Sequence, residues 1–510
     1  MLNKIMSRPK TAAFLAGIAA TAALPPYHQA WILFICFGLF GILLNKAVSG
    51  KQAFAFGYWF GFGFFAAGLS WISNALALDI VSFGWLIPFA LILSGAFFGL
   101  FAAFPALGAY YFRGYFARCI AFGVFWALFE WIRSFLLTGF PWNLLGSVLA
   151  FDHRLLQPAA IFGTYGLSLS VVIAAMLPAA AFVAPKRRNA SIGIVFSLAI
   201  LSAIGGYGYY RTNRLDDDAL SDISVRVVQP SIPQSLKWNY AELEKNFADY
   251  IEMSQNDGFA EKDIVIWGET ASTFPVALDR THFYQMLPAV PDNGWLIAGS
   301  IDYYPDEEDR WLPVNAGLIL RHGRGITDTY AKSHLVPFGE YIPFRKFLPD
   351  GLRPVTKVIS DFRAGDGVKT FSPEGLPPFG LLICYEIIFP HQVADAKNRP
   401  QWLINLTNDG WYGRSSGPYQ HLVTARLRAV EEGLTVVRAA NSGVSAVISR
   451  TGKVIKSLGL YERGNLDFTL PRELDTLTPY ARQGNLYFFW LSLLLVAAAV
   501  LLSVLVPENT

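Results

Sequence analysis

The sequence predicts a membrane part of eight transmembrane α-helices joined to a water-solvated α/β domain built as an αββα sandwich. Three observations carry this expectation. Mean hydropathy is +0.36, with 53% of residues hydrophobic and only 15% charged, so part of the chain needs lipid as its solvent. Up to Tyr210 the acidic residues are Asp79, Glu130 and Asp152, whereas from Arg211 to Arg482 the chain is rich in Asp, Glu, Lys and Arg. Within that second stretch, short unbroken apolar runs alternate with helical or loop segments, which is how strands buried on both faces read.

A hydrocarbon slab takes roughly 20 helical residues. On that measure spans fall near 11–24, 29–47, 53–75, 84–108, 118–137, 160–183, 191–210 and 486–507. The domains expected are therefore 1–215 with seven spans, a soluble domain over 221–470, and a C-terminal span over 486–507. The first span is short and follows Lys4, Arg8 and Lys10, the form of a signal peptide. A further apolar span follows almost at once, however, with no convincing cleavage site between. Many Gly and Ala residues in the spans permit close helix packing. Glu130 and Arg133, three residues apart, are expected to meet on one helix face and lower the cost of burial.

Short loops set the orientation, because Lys and Arg are retained in the cytoplasm. One side holds Lys4, Arg8, Lys10, Lys46, Lys51, Arg113, Arg118, Lys186, Arg187 and Arg188, the other only Arg133 and Arg154. With the first side inside, seven crossings put the soluble domain outside the cytoplasm, which in a bacterial cell is the periplasmic face of the inner membrane.

In the soluble domain, strands are expected at Ile223–Val228, Asp263–Trp267, Trp295–Ile301, Ala316–Leu320, Phe379–Ile383, Trp402–Leu406, Thr435–Ala440 and Val444–Ser449. Helical spacing marks Tyr240–Asn256 and Gln420–Gly433. Pro and Gly cluster in 337–380, which reads as long loops around a site.

Three residues at or near strand ends carry the chemistry. Cys384 follows the run Phe379-Gly380-Leu381-Leu382-Ile383, Glu269 follows Ile264-Val265-Ile266-Trp267-Gly268, and Lys332 precedes Ser333-His334-Leu335-Val336-Pro337-Phe338-Gly339-Glu340. A thiol attacks only as thiolate. A carboxylate can take its proton and a cation can steady a developing oxyanion, so the three types together suit covalent acyl transfer. Each alone has an ordinary structural reading: a core cysteine, a loop carboxylate, a surface lysine. Cys36 and Cys119 lie in or beside spans, where a free cysteine behaves as a small hydrophobe. The seven histidines show no metal-ligand spacing, and neither metal nor cofactor is expected.

The combination is more specific than its parts. Trp267-Gly268-Glu269-Thr270, Lys332 with the run 334–341, and Cys384-Tyr385-Glu386 resemble the Glu-Lys-Cys set of the nitrilase superfamily. Seven spans before that domain and one after resemble the bacterial apolipoprotein N-acyltransferase family. Gln229 through Trp238 and the loop Asn408-Asp409-Gly410-Trp411-Tyr412-Gly413 extend the resemblance over nearly the whole chain. Pro230 departs from it, standing where the family carries a small residue.

The resemblance implies a ping-pong transfer. Glu269 would act as general base on Cys384, whose sulfur takes a fatty acyl group from a phospholipid as a thioester, with Lys332 and the backbone N–H of Tyr385 at the oxyanion. The acceptor would be the α-amine of a diacylglyceryl-modified N-terminal cysteine of an apolipoprotein, giving a triacylated product. The partners implied are phospholipid, apolipoprotein and bilayer, and no nucleic acid. Glu340 and Glu386 are expected to orient the lysine and the pocket, and Trp238, Tyr385, Asn315 and Trp411 to line the substrate site. The loop 341–348 has the aromatic and cationic composition of a membrane-interface lid. Two rivals are a membrane-tethered amidase using the same triad with water, and a non-enzymatic lipid scaffold or transporter. The first leaves the membrane platform without a reason, and the second leaves the complete residue set without one.

Overall fold

The computed structural model describes residues 7–183, 187–215, 219–305, 309–345, 360–472 and 477–506. The chain forms two compact units. One comprises Met1–Leu215, Val430–Glu432 and Leu477–Thr510, the other Asp216–Ala429 and Gly433–Thr476.

In the helical unit, five helices among the described residues are long and apolar enough to cross a membrane: Ile80–Tyr110, Tyr115–Ile132, Ala159–Val183, Arg188–Arg214 and Leu486–Val504. The expectation of eight spans is not met on this measure. Helix Pro9–Ala20 has 12 residues and reaches only about 18 Å at ~1.5 Å per residue, and Ile32–Asn45 has 14. Gly50–Gly68 is long enough at 19 residues, but its glycines, Tyr58, Trp59 and polar first turn dilute its hydropathy. What these helices have instead is intimate packing. A Cβ on Gly17 would stand 2.0 Å from the Phe60 carbonyl oxygen, and one on Gly63 2.2 Å from that of Phe14, so Pro9–Ala20 and Gly50–Gly68 meet backbone to backbone.

Glu130 and Arg133 do more than face each other. Glu130 accepts from the Trp126 indole and from the Leu145 N–H, both at 2.9 Å. Arg133 donates to the carbonyls of Phe140 and Trp142 at 2.8 and 2.6 Å and lies over the Phe65 and Phe98 rings. Both side chains tie the irregular stretch 140–145 to helix Tyr115–Ile132. Lys4 and Lys186, invoked for orientation, lie outside the described residues, as do Lys346, Phe347 and Leu348 of the expected lid. Of the rest of that loop, Ile342 is buried, Tyr341 is half-buried, Phe344 is exposed, and Arg345 pairs with Asp361.

The second unit is the expected sandwich of two six-stranded sheets. Its strands are β1 (Leu220–Gln229), β2 (Ile264–Trp267), β3 (Trp295–Pro305), β4 (Trp311–Arg321), β5 (Gly325–Ala331), β6 (Thr370–Phe371), β7 (Phe379–Ile383), β8 (Trp402–Thr407), β9 (Thr435–Ala440), β10 (Ser445–Ile448), β11 (Val454–Leu458) and β12 (Gly464–Pro471). They are ordered β12-β1-β2-β3-β4-β5 and β11-β10-β9-β8-β7-β6. The centre of each sheet is parallel: β1 with β2 and β3, β7 with β8 and β9.

Alternation along each strand builds the layers. Val225, Val227, Ile264, Ile266 and Ile297 pack between the sheets against Leu381, Ile383, Ile404, Leu406 and Val437. The intervening Val228, Val265, Trp267, Leu296 and Ala298 pack outward with Phe247, Tyr250 and Met253 of helix Leu243–Ser254. On the second sheet, Arg438 of β9 meets His421 of helix Gly417–Glu432. Burial on both faces is why the strands read as continuous apolar runs.

One buried polar group works against this core. Asp302 on β3 is fully buried, and burial pushes its carboxyl up to about 6, only partly offset by the backbone N–H groups of Tyr303 and Ala277. A carboxyl raised in the fold costs stability once ionised, so the cost grows from about pH 4 and is complete above about pH 6. Asp302→Asn is therefore expected to stabilise the domain by about 1–3 kcal/mol at pH 8 and by little at pH 4. Thermal unfolding of the full chain at the two pH values checks this; equal effects at both would assign the change to shape rather than charge.

Candidate active site

The parallel strands run so that their carboxyl ends lie together, the place where sheets of this kind hold ligands. Glu269 stands two residues beyond β2, Lys332 one beyond β5, and Cys384 one beyond β7. The ends of the two sheets touch: the Glu269 N–H donates to the Thr407 carbonyl at the end of β8, at 3.4 Å. Within the first sheet the turn 268–270 lies directly on β3, which needs Gly299 there, because a Cβ would stand 2.4 Å from the Gly268 carbonyl oxygen and 2.8 Å from the Glu269 Cα.

Glu269, Lys332 and Cys384 are 6%, 1% and 5% exposed. Lys332 Nζ donates to Glu340 Oε1 at 2.9 Å and lies 3.6 Å from Glu269 Oε1. Asn315 Nδ2 bridges the two carboxylates, donating to Glu269 Oε1 at 2.8 Å and Glu340 Oε1 at 3.0 Å. Glu340 Oε2 accepts the Val336 N–H at 2.8 Å. Glu269 Oε2 is buried and has no hydrogen-bond partner among the described residues. One carboxylate oxygen is thus held in place while the other stays open to take a proton.

The electrostatics match. Burial would depress Lys332, but Glu340 and then Glu269 outweigh it, so its ammonium is held charged. Burial pushes the Cys384 thiol up to about 12, with the Glu269 carboxylate adding to the rise, Lys332 opposing it and the Thr407 side chain hydrogen-bonding the thiol. A thiol so raised rests protonated, and it could act as a nucleophile only with a base beside it.

Cys384 has φ +50°, a left-handed backbone that costs a residue with a Cβ roughly 1–2 kcal/mol. Its neighbours hold it there. Glu386 Oε2 accepts the Ile383 N–H at 2.7 Å. Its Oε1 accepts the Tyr330 hydroxyl and Ser333 Oγ at 2.7 Å, the Ser333 N–H at 2.8 Å and the His334 N–H at 3.2 Å. Glu386 therefore fastens the turn carrying Cys384 to the segment that follows Lys332.

Asn315, Glu340 and Glu386 thus join the three residues singled out from the sequence. Tyr385 is buried in the same turn, its ring against His334 and Phe389. Trp238 packs beside Ile301, Leu335 and Phe362 with its indole N–H unpartnered among the described residues. Trp411 is half-buried in the turn Asp409–Tyr412 and makes no hydrogen bond to the cluster among the described residues.

Sequence reasoning passed over a second buried network. His421 bridges Asp409 Oδ1, at 2.8 Å, and the Cys384 carbonyl, at 3.2 Å. Arg438 donates to Asp409 Oδ2 at 2.7 Å and to Asn405 Oδ1 at 2.6 Å. Burial would raise Asp409, but Arg438 and His421 hold it at about 2. Burial, with Arg438 adding, depresses His421. A charged Arg438 inside the apolar run Thr435–Ala440 was the signal, since a buried charge needs a partner. Lys237, also passed over, is 2% exposed and donates from Nζ to the Glu269 carbonyl oxygen at 2.8 Å. No cluster of metal-ligand type occurs among the described residues.

Comparison with known proteins agrees along the chain. A family model described as the apolipoprotein N-acyltransferase N-terminal domain matches residues 16–177, and one described as carbon-nitrogen hydrolase matches residues 224–480. A protein of Rhodopseudomonas palustris named apolipoprotein N-acyltransferase is 35% identical over 93% of this chain and 91% of its own. One of the same name from Rickettsia prowazekii is 34% identical over 99% of this chain and 100% of its own. A third, from Bradyrhizobium diazoefficiens, is 36% identical over 96% and 94%.

Proposed function

The chain belongs to the apolipoprotein N-acyltransferase family, and from that membership we propose that it moves a fatty acyl chain from a phospholipid to the α-amine of a lipoprotein's diacylglyceryl-cysteine. The observation that carries the chemistry is the buried Glu269, one oxygen pinned by Asn315 and the other open, coupled to Lys332 and Cys384.

In the first half-reaction Glu269 takes the Cys384 proton as the sulfur attacks the ester carbonyl carbon. Negative charge gathers on the carbonyl oxygen, where the Lys332 ammonium and the Tyr385 N–H steady it; one such donor typically contributes about 3–4 kcal/mol. The bond from carbonyl carbon to glycerol oxygen breaks, that oxygen receives the proton from Glu269, and lysophospholipid leaves. In the second half the α-amine nitrogen attacks the thioester carbon and Glu269 takes a proton from it. The carbon–sulfur bond breaks and Glu269 passes that proton to the departing sulfur, which restores the thiol and the carboxylate. A thioester is an activated acyl group, so conversion to an amide runs downhill without ATP.

Glu340 keeps Lys332 in place, and Glu386 sets the turn that presents Cys384. Trp238, Tyr385 and Asn315 border the site in this reading, and Trp411 stands at its margin. The Lys and Arg bias of the short loops supports a catalytic domain on the periplasmic side of a bacterial inner membrane.

The test is to give the full chain in detergent a phospholipid with a labelled acyl chain together with a peptide bearing an N-terminal diacylglyceryl-cysteine. The expected outcome is label in amide linkage on the peptide, with one lysophospholipid released per transfer. Label appearing only as free fatty acid, or ammonia released from a small amide instead, would replace transfer by hydrolysis.

A further inference from the structure

Lys237 ends the short helix Gln234–Lys237 that follows β1. Its ammonium is buried, and among the described residues its Nζ makes one hydrogen bond, to the main-chain carbonyl of Glu269 at 2.8 Å. The segment that carries it is held firmly. Asn408 Nδ2 donates to Gln234 Oε1 at 2.8 Å, Asn441 Nδ2 donates to the Ile232 carbonyl at 2.8 Å, and Asn246 Nδ2 donates to the Leu236 carbonyl at 3.1 Å. Two of these anchors come from the loops after β8 and β9, the strand ends that border Cys384.

The charges near the sulfur call for a second cation. Glu269 and Glu340 bring two negative charges and Lys332 one positive, which leaves a deficit of one before any thiolate forms. When Glu269 takes the thiol proton it becomes neutral and the new charge moves to sulfur. Glu340 and the thiolate then face Lys332 alone unless another cation is present. Lys237, with its Nζ on the Glu269 carbonyl oxygen, is a buried cation at this place, and the charges of Glu269 and Cys384 both favour its protonated form.

We propose that Lys237 is a positioning residue of the transfer reaction: its ammonium pins the main chain of Glu269 and supplies the second positive charge against which the Cys384 thiolate forms. The proposal rests on Glu269 and Cys384 being base and nucleophile. Burial lowers Lys237, Glu269 and Cys384 pull it back, and the balance is about 8, so the cation is present at neutral pH and fades above it.

The test follows alkylation of Cys384 by iodoacetamide against pH on the full chain in detergent, read from the mass of the peptide containing Cys384 so that Cys36 and Cys119 do not contribute. Lys237→Gln keeps a hydrogen-bond donor and loses the charge, while Lys237→Arg keeps both. In the Gln variant alkylation at pH 7 is expected to be about tenfold slower, with the difference from the parent closing above about pH 8, where Lys237 itself loses its proton. The Arg variant is expected to return within about threefold of the parent, since its cation is retained. Equal rates in all three proteins, or equal slowing in Gln and Arg, would overturn the proposal. Glu269→Gln runs beside them: if it too leaves the profile unchanged, the failure belongs to the assignment of the base, whereas a shift there with none in Lys237→Gln rejects the role of Lys237 alone.

Discussion

Cys384→Ala is expected to leave a folded chain that acquires no acyl group from labelled phospholipid and transfers none to peptide, with turnover down by roughly four or more orders of magnitude. The fold should survive, because the side chain lost is small and its turn is held by others. Glu386 still accepts the Ile383 N–H, and His421 still meets the main-chain carbonyl at position 384. Alanine at φ +50° bears the same local strain as cysteine. Mass analysis of the peptide spanning 384 reads the result directly. An acyl adduct that persists in the variant and is released by hydroxylamine would place the nucleophile elsewhere.

Lys332→Ala is expected to damage both stability and activity. Lys332 is the cation between Glu269 and Glu340, and Asn315 ties their Oε1 atoms to one amide nitrogen. Removing one partner of a buried ionic cluster costs about 3–5 kcal/mol, because the remaining charges are left without compensation. The carboxylates then relieve their repulsion by holding a proton, which takes from Glu269 the capacity to accept one from Cys384. Loss of the oxyanion donor adds a further factor of about 10²–10³. Acyl-enzyme formation and thermal unfolding measured on the same preparation separate the two effects. Near-parent turnover in a destabilised variant would confine Lys332 to structure.

The central strands were legible because each is buried on both faces and so has no polar period to disguise it. Phe379–Ile383 and Thr435–Ala440 were placed to the residue. The strands passed over, β5, β6, β11 and β12, are the four sheet edges. An edge strand faces solvent or a loop, so Gly325–Ala331 and Val454–Leu458 carry exposed polar positions, and β6 is too short at two residues to leave a pattern. In the helical unit the apolar stretches were found, and among the described residues five helices are long and apolar enough to cross a membrane. Gly50–Gly68 spends on backbone packing the positions that a lipid-facing helix gives to leucine.

Residue type and position after an apolar run were enough to single out Glu269 and Cys384, because each follows a strand whose hydrophobicity is unmistakable, whereas Lys332 follows the edge strand β5 and was marked by the run 333–340 after it. Their neighbours Asn315, Glu340 and Glu386 came through resemblance to a family rather than through any local pattern. Lys237, Asp409 and His421 could be assigned only in three dimensions, and Arg438, though marked by its place inside an apolar run, has partners that only the fold identifies. A lysine at the end of a four-residue helix and a histidine on a longer one look like surface groups along the chain, where nothing shows what will cover them. The order of apolar runs settles which segments are buried, since hydrophobicity is a property of each side chain alone. Which carboxylate is held, which oxygen is left open and which cations stand near the sulfur depend on distances across two sheets, and those exist only once the chain has folded.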